Sequence, residues 1–286
     1  MSCIFTNDNH SEILLIEHPL SKIFASRDNH EVLFRRIHTY LINTGIIKNN
    51  IIDLGAWIGD NTIPWAKSIE AKSIDKKSID KKSIEVKSIE AKSIDKKSID
   101  KKSIEAKTIY AMDPSPDNCE FIRQMCNKNQ VSNVKVIQTA VSNCCETLST
   151  NDDMYHCTFA ADESGRNKVD AVSLDHLFLI NEITNIGYIH LDVEGMEYKV
   201  LLGSKKIIET YKPIITFEQH LEIDDYNLIL NYLTELNYTV YLIDEILPGC
   251  RPDCRNSIAF PSEIINPKMV ADIHAYIGKE ILLPFF

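Results

Sequence analysis

Ile51-Ile52-Asp53-Leu54-Gly55-Ala56-Trp57-Ile58-Gly59 is an apolar strand running into a glycine turn, and Thr108-Ile109-Tyr110-Ala111-Met112-Asp113-Pro114 is a second strand ending in an acid. Asp53 and Asp113 stand 60 positions apart, and eight pentads from Lys67 to Ala106, all variants of K-S-I-(D/E)-x, account for 40 of those. Without the pentads 20 positions remain, the spacing between a glycine-rich nucleoside turn and the acid that holds a ribose. The repeat interrupts a nucleotide-type cofactor site.

The pentads form two near-identical blocks, 67–86 and 87–106, differing only at Val86 versus Ala106, which points to tandem duplication. A five-residue period suits neither regular element. On a helix it turns the isoleucines by about 140° per step, and on a strand it sends them to opposite faces. With 12 Lys, 8 Asp/Glu and no aromatic residue, Gly or Pro, the insert reads as a solvated excursion. A basic docking arm is the functional alternative; a pentapeptide solenoid is disfavoured by the Lys two positions before each Ile.

Outside the insert roughly 245 residues remain, enough for one full-sized α/β domain with its own core. The pentads carry +4, so the −10 of the whole chain becomes −14 for the remainder, which argues against nucleic acid as a partner. No apolar run is long enough for a membrane span, and the N-terminus lacks the pattern of a signal peptide. The expected location is the cytoplasm; richness in Ile, Lys and Asn fits an AT-rich genome, in which case a large DNA virus would place it in the host cytoplasm. The eight cysteines include Cys250-x-x-x-Cys254 and the Cys144–Cys145 pair. Neither has a second close pair or a His at a matching offset, so reduced thiols and no metal are expected.

Helical spacing covers 31–44, with Gly45 as terminator. Strand 51–54 leads to a helix near Asp60, interrupted after Ala66. Strand 108–112 precedes a helix at 116–129 with Pro116 in its first turn. Strand 134–138 is followed by a polar stretch, 142–168, expected to carry a hairpin. Then come strand 186–191, helix 196–210, strand 213–218, helix 224–236, and strands 238–243 and 257–260. The alternation predicts a mostly parallel sheet with helices on both faces and an antiparallel edge strand.

Gly55-x-x-x-Gly59 is not the G-x-G-x-x-G of dinucleotide enzymes. Those turns hold a pyrophosphate, which a carboxylate at Asp53 would repel. Asp53 suits a cationic ammonium instead, that of the methionine end of S-adenosylmethionine. Gly55 and Gly59 let backbone approach the nucleoside, and Asp113 accepts the ribose hydroxyls.

At this point the sequence resembles the FkbM-type family of S-adenosylmethionine-dependent methyltransferases over most of 50–260 outside the insert. The resemblance rests on I-I-D-L-G-A-W-I-G-D-N-T at 51–62, A-M-D-P-S-P-D-N at 111–118, V-I-Q-T-A-V-S at 136–142 and V-S-L-D at 172–175. It continues in I-H-L-D-V-E-G-M-E at 189–197, P-I-I-T-F-E at 213–218 and R-N-S-I-A-F-P at 255–261. It implies a Rossmann-like seven-stranded sheet and methyl transfer, usually to a hydroxyl on a sugar, glycan or other small molecule. The expected organisation is a helical cap at 1–50, a methyltransferase domain at 51–265 interrupted by 67–106, and a helical tail at 266–286. The expected cofactor-binding residues are Asp53, Gly55, Ala56, Gly59, Asp113, Ser115, Thr139 and Ala140. The family commonly has Asn at Trp57, Glu at Asp113 and Lys at His190.

Side-chain alternation on strand 186–191 puts Tyr188, His190 and Asp192 on one face, with Asp192 at the strand end where open sheets place ligands. Glu194, Glu197, Glu218 and His220 lie nearby. Asp192 is the expected positioner or base for the acceptor, helped by His190 or Glu218. A nicotinamide-dependent sugar oxidoreductase would need G-x-G-x-x-G and a Tyr-x-x-x-Lys pair by the crevice, and neither is present. A cofactor-binding protein without turnover is the remaining alternative, with Trp57 and His190 as its signs.

Overall fold

The computed structural model describes residues 1–5, 8, 10–71, 107–150, 167–221 and 226–285. The pentads beyond 71, residues 151–166 of the 142–168 stretch expected to carry a hairpin, and 222–225 lie outside the described residues.

The chain opens with an antiparallel hairpin of β1 (Ser2–Ile4) and β2 (Glu12–Leu14), then α1 (Leu20–Ser26), a 3-10 turn at Arg27–Asn29 and α2 (Val32–Asn43). The core follows as β3 (Asn50–Leu54), helix α3 (62–71), β4 (Ile109–Asp113), α4 (Pro116–Lys128) and β5 (Val134–Gln138). Next come β6 (Ala140–Val141), β7 (Glu146–Thr150), β8 (Asn167–Val172) and α5 (Leu174–Leu179). The last part runs β9 (Ile186–Leu191), α6 (Glu197–Leu202), α7 (Lys205–Tyr211), β10 (Ile214–His220), α8 (Tyr226–Glu235), β11 (Tyr238–Ile243), β12 (Cys254–Pro261), α9 (Pro267–Ile277) and β13 (Leu282–Pro284).

Eight strands make the main sheet in the order β13-β11-β12-β10-β9-β3-β4-β5. The five from β10 to β5 are parallel, while β12 runs antiparallel to both of its neighbours. Besides the expected antiparallel edge strand, which is β13 against β11, the sheet thus holds an antiparallel strand, β12, in its interior. An eighth strand, β13, takes the edge, because the apolar run Ile281-Leu282-Leu283 pairs with β11. The tail is thus a helix followed by a strand, and the N-terminal cap carries a hairpin as well as helices.

Alternation on β3 and β9 builds two cores. Ile51 and Tyr188 join the layer of α2, α3 and α4, with Phe34, Leu41, Trp65 and Phe121. Ile52, Leu54, Ile189 and Leu191 face the layer containing Leu177, Val200, Ile208 and Leu233. Burying such side chains is worth about 1.5–3 kcal/mol each.

Local chemistry sets the element ends. The Glu245 carboxylate accepts the Leu33 and Phe34 amides (2.8 and 2.9 Å) and closes the N-terminus of α2 from 212 and 211 residues away in sequence. Gly45 stops the same helix with φ 75°. The Ser115 hydroxyl caps α4 by accepting the Asn118 amide, with Pro116 in the first turn. The single helix expected at 196–210 is split into α6 and α7 at Gly203 and Ser204. There the backbone presses on the β6 end: a Cβ on Gly203 would stand 2.3 Å from the Ser142 carbonyl oxygen. Among the described residues no helix is long and apolar enough to cross a membrane.

Candidate active site

A cavity of about 330 Å³ opens over the C-terminal ends of β3, β4, β9 and β10, where the order departs from β3 in both directions and ligands of open α/β sheets lie. Its walls include Gly55, Asp113, Thr139, Ala140, Asp192 and Glu218. Six of the residues expected from the sequence meet here.

The glycine turn is tied down by its neighbours. The Gly55 and Ala56 amides both donate to the Met112 carbonyl at 3.0 Å, and the Asp192 amide donates to the Leu54 carbonyl at 3.0 Å. Gly55 adopts φ 71°, and a Cβ there would fall 1.7 Å from the Asp192 carbonyl oxygen. Only glycine fits between these two strand ends. Gly59 is also left-handed, with Ile122 and Ile63 closing round it, and so serves the fold of the turn rather than the cavity wall.

Trp57 follows at φ 45°, a conformation that Asn tolerates and a bulky residue does not. That accounts for the Asn common at this position in the family the sequence resembles. The Trp57 ring lines the cavity and carries the Arg27 guanidinium 5.4 Å from its centroid. Arg27 is held by Asp60 at 3.0 Å.

Asp113 is built as an acceptor. Its carboxylate takes the Trp57 amide at 2.9 Å, the Ser115 amide at 2.8 Å and the Asn118 side-chain amide at 3.1 Å. Burial is the largest influence and pushes its pKa up to about 6; the hydrogen bonds oppose the rise and the Asp53 charge adds to it. Ser115 does not line the cavity; it positions Asp113 and starts α4.

Asp53 and His190 are placed elsewhere. They are register partners on β3 and β9, and His190 Nδ1 lies 2.8 Å from the Asp53 carboxylate. The Thr62 hydroxyl donates to the other Asp53 oxygen. Phe34 stacks on the imidazole at 5.2 Å and Trp65 meets it edge-on at 5.5 Å. Both residues are 2% exposed or less and neither lines the cavity. Burial works against the imidazolium, yet Asp53 and then Glu31 hold the His190 pKa above its ordinary value. The expected ammonium anchor is therefore occupied by protein, and the expected catalytic imidazole is sealed behind the sheet. Ala56 is likewise packed away from the cavity.

Asp192, two positions beyond His190 on the same face, does open into the cavity. Among the described residues no hydrogen bond reaches its carboxylate. Loss of water, then Glu218, Glu194 and Glu31, hold it well above the ordinary carboxylate range. Glu218 is pushed up to about 8, by burial first and then by Glu31. Arg27 and Cys250 also line the cavity and were missed by sequence reasoning. Arg27 lies on a connection that no periodicity or motif marks, and Cys250 stood out in the sequence only as one half of a Cys-x-x-x-Cys pair, with nothing to place it at the cavity.

The fold is a Rossmann-like α/β sheet with its cavity over the C-terminal ends of the central strands. The glycine cradle and the Asp113 acceptor fit the ribose end of S-adenosylmethionine, while the methionine end finds no free Asp53. Residues 101–240 match the family described as Methyltransferase FkbM domain. The matched stretch, about half of the chain, is similar to an FkbM-type methyltransferase domain. The match begins in the last pentads and leaves out the glycine turn that the insert separates from it.

Solved structures similar to the chain include a Methyltransferase FkbM from Methylobacillus flagellatus KT, at 15% identity and TM-score 0.45, covering 73% of this chain and 43% of that one. A putative O-methyltransferase from Klebsiella pneumoniae is 9% identical with TM-score 0.47, covering 87% and 92%. A SAM-dependent methyltransferase from Aquifex aeolicus is 12% identical with TM-score 0.43, covering 86% and 100%. No curated protein sequence matches. The chain spans less than half the length of the Methylobacillus protein.

Proposed function

We propose that the enzyme methylates a hydroxyl oxygen on a sugar, glycan or other small molecule. The carrying observation is the Asp192 carboxylate, which faces the cavity beside the Gly55 turn with no hydrogen bond among the described residues. S-adenosylmethionine supplies an electrophilic methyl group, and transfer needs the acceptor oxygen held in line. Asp113 accepts the ribose hydroxyls; Gly55, Thr139 and Ala140 give the nucleoside its walls. Asp192 orients the acceptor hydroxyl and takes its proton as the new C–O bond forms, with Glu218 beside it. Asp53, Ala56, Gly59, Ser115 and His190 act from behind by fixing the turn and the strands.

The lining favours this acceptor class over a phosphate-bearing one. Among the described residues, Asp113, Asp192, Glu194 and Glu218 face the cavity against one guanidinium, that of Arg27, which disfavours nucleic acid. The test is transfer from methyl-tritiated S-adenosylmethionine by the full chain to a panel of saccharides, polyols, amines and RNA, with products placed by mass spectrometry. O-methylated saccharide or polyol is expected; label found only on nitrogen or on RNA contradicts the reading.

A further inference from the structure

On β10, Glu218 and His220 lie two residues apart and share a face. The antiparallel register sets His220 directly opposite Cys254 on β12. The Glu218 carboxylate, the His220 imidazole and the Cys254 thiol each offer a ligand atom, and these atoms all lie within 4.8 Å of one another. Cys254 Sγ is 2.7 Å from Glu218 Oε1. The connection between β11 and β12 returns a second thiol to the same place. Cys250 lies on that connection and lines the cavity together with Glu218, and its sulfur stands 3.8 Å from His30 Nε2 at the end of the 3-10 turn. Two thiols, two imidazoles and a carboxylate converge from three parts of the chain.

We propose that Cys250, Cys254, His220 and Glu218 bind one thiophilic divalent cation, zinc in the first instance. Tetrahedral zinc with bonds of about 2.0–2.3 Å sets its ligand atoms roughly 3.3–3.8 Å apart, so the cluster needs small shifts only, the Cys254–Glu218 pair opening from 2.7 Å and wider pairs closing from no more than 4.8 Å. Two sulfurs and an imidazole select zinc over magnesium or calcium, which take oxygen shells. Binding forms two metal–thiolate bonds and releases the two thiol protons to solvent, the Cys254 proton leaving its hydrogen bond to Glu218. His30 then supports the Cys250 sulfur from outside the ligand set. The sequence reading found no His at ligand spacing because the partner sits across two strands, 34 positions before Cys254.

The site stands independently of the methyl acceptor. Its consequence for chemistry rests on the proposed function. Glu218 and Cys250 also line the cavity, so the ion occupies the acceptor-side wall, and Glu218 serves as ligand, leaving Asp192 as the sole base.

The test uses the full chain, reduced and stripped with a chelator, then titrated with cobalt(II) and with zinc. The expected result is one equivalent of either metal, with a thiolate-to-cobalt charge-transfer band and the visible bands of tetrahedral cobalt(II). Zinc should abolish both. Cys254→Ser should remove the charge-transfer signal or weaken binding at least tenfold, as should His220→Ala, while the double variant Cys144→Ser, Cys145→Ser keeps it. Should Cys254→Ser fail to fold, the wild-type titration and the His220→Ala arm still decide. Wild-type chain that takes up no stoichiometric cobalt overturns the proposal, and so does cobalt lost in the Cys144/Cys145 variant or bound equally well by His220→Ala.

Discussion

The two sides of the crevice are made by opposite means. On the cofactor side the backbone does most of the work: Gly55 and Ala56 amides on Met112, and the Trp57 and Ser115 amides, joined by the Asn118 side chain, on the Asp113 carboxylate. On the acceptor side, Asp192 stands without a hydrogen bond among the described residues and Glu218 meets only a thiol. A rigid nucleoside seat can be specified by turn geometry. A face that must grip and deprotonate an incoming molecule has to keep its groups unspent, and it bears the cost of crowding like charges. The same contrast occurs at the end of β9, where His190 is spent on Asp53 and Asp192, just past the strand, is not.

Breaking the cofactor side should have the largest effect. Gly55→Ala drives a Cβ into the Asp192 carbonyl from a left-handed position, so a loss of at least about 4 kcal/mol is expected. Urea denaturation reads it, and wild-type stability would show that the strand ends can separate.

His190→Ala and Asp192→Asn then divide structure from chemistry on one strand. Removing His190 leaves the buried Asp53 charge unpaired and should cost about 3 kcal/mol, with turnover per folded molecule unchanged. Asp192→Asn should leave stability within about 0.5 kcal/mol and lower kcat about 10²-fold. Stability by denaturation and single-turnover rates on the same samples test both. The smallest effect belongs to Trp57→Asn. It relieves a left-handed tryptophan, worth about 1–2 kcal/mol, and gives up the Arg27 contact, worth about 0.5–1 kcal/mol. The melting temperature should rise slightly.

Three strands rich in β-branched and aromatic residues were legible in the sequence to the residue: 134–138, 186–191 and 238–243 have the expected bounds. Excising the pentads was enough to pair Gly55 with Asp113. Side-chain alternation failed at His190 because it gives the face of a strand but not the depth, and only the last position reaches the cavity. Asp53 failed for a related reason, since its partner is set by the β3–β9 register, which no single strand reveals. Arg27, Cys250 and the break at Gly203 depend on contacts between segments far apart in sequence. Of the pentads, 67–71 extend α3, with Ile69 buried and Glu70 accepting the Ser132 amide at 2.8 Å. A clean excision would therefore remove 72–106.

Titration calorimetry of S-adenosylmethionine, run against the full chain and against Asp113→Ala from pH 5 to 8, tests the central claim most directly. Asp113 is raised from 3.8 to about 6 in the folded protein. Its stabilising contribution is therefore present below 3.8 and lost as pH rises through about 6, at most about 3 kcal/mol. The ribose needs the ionised form, so affinity should run the other way, strengthening as pH rises through about 6. Asp113→Ala should bind about a hundredfold more weakly and lose that pH dependence. Equal affinity for the two proteins at pH 8, or no binding by the full chain, would contradict the assignment of the cavity as the cofactor site.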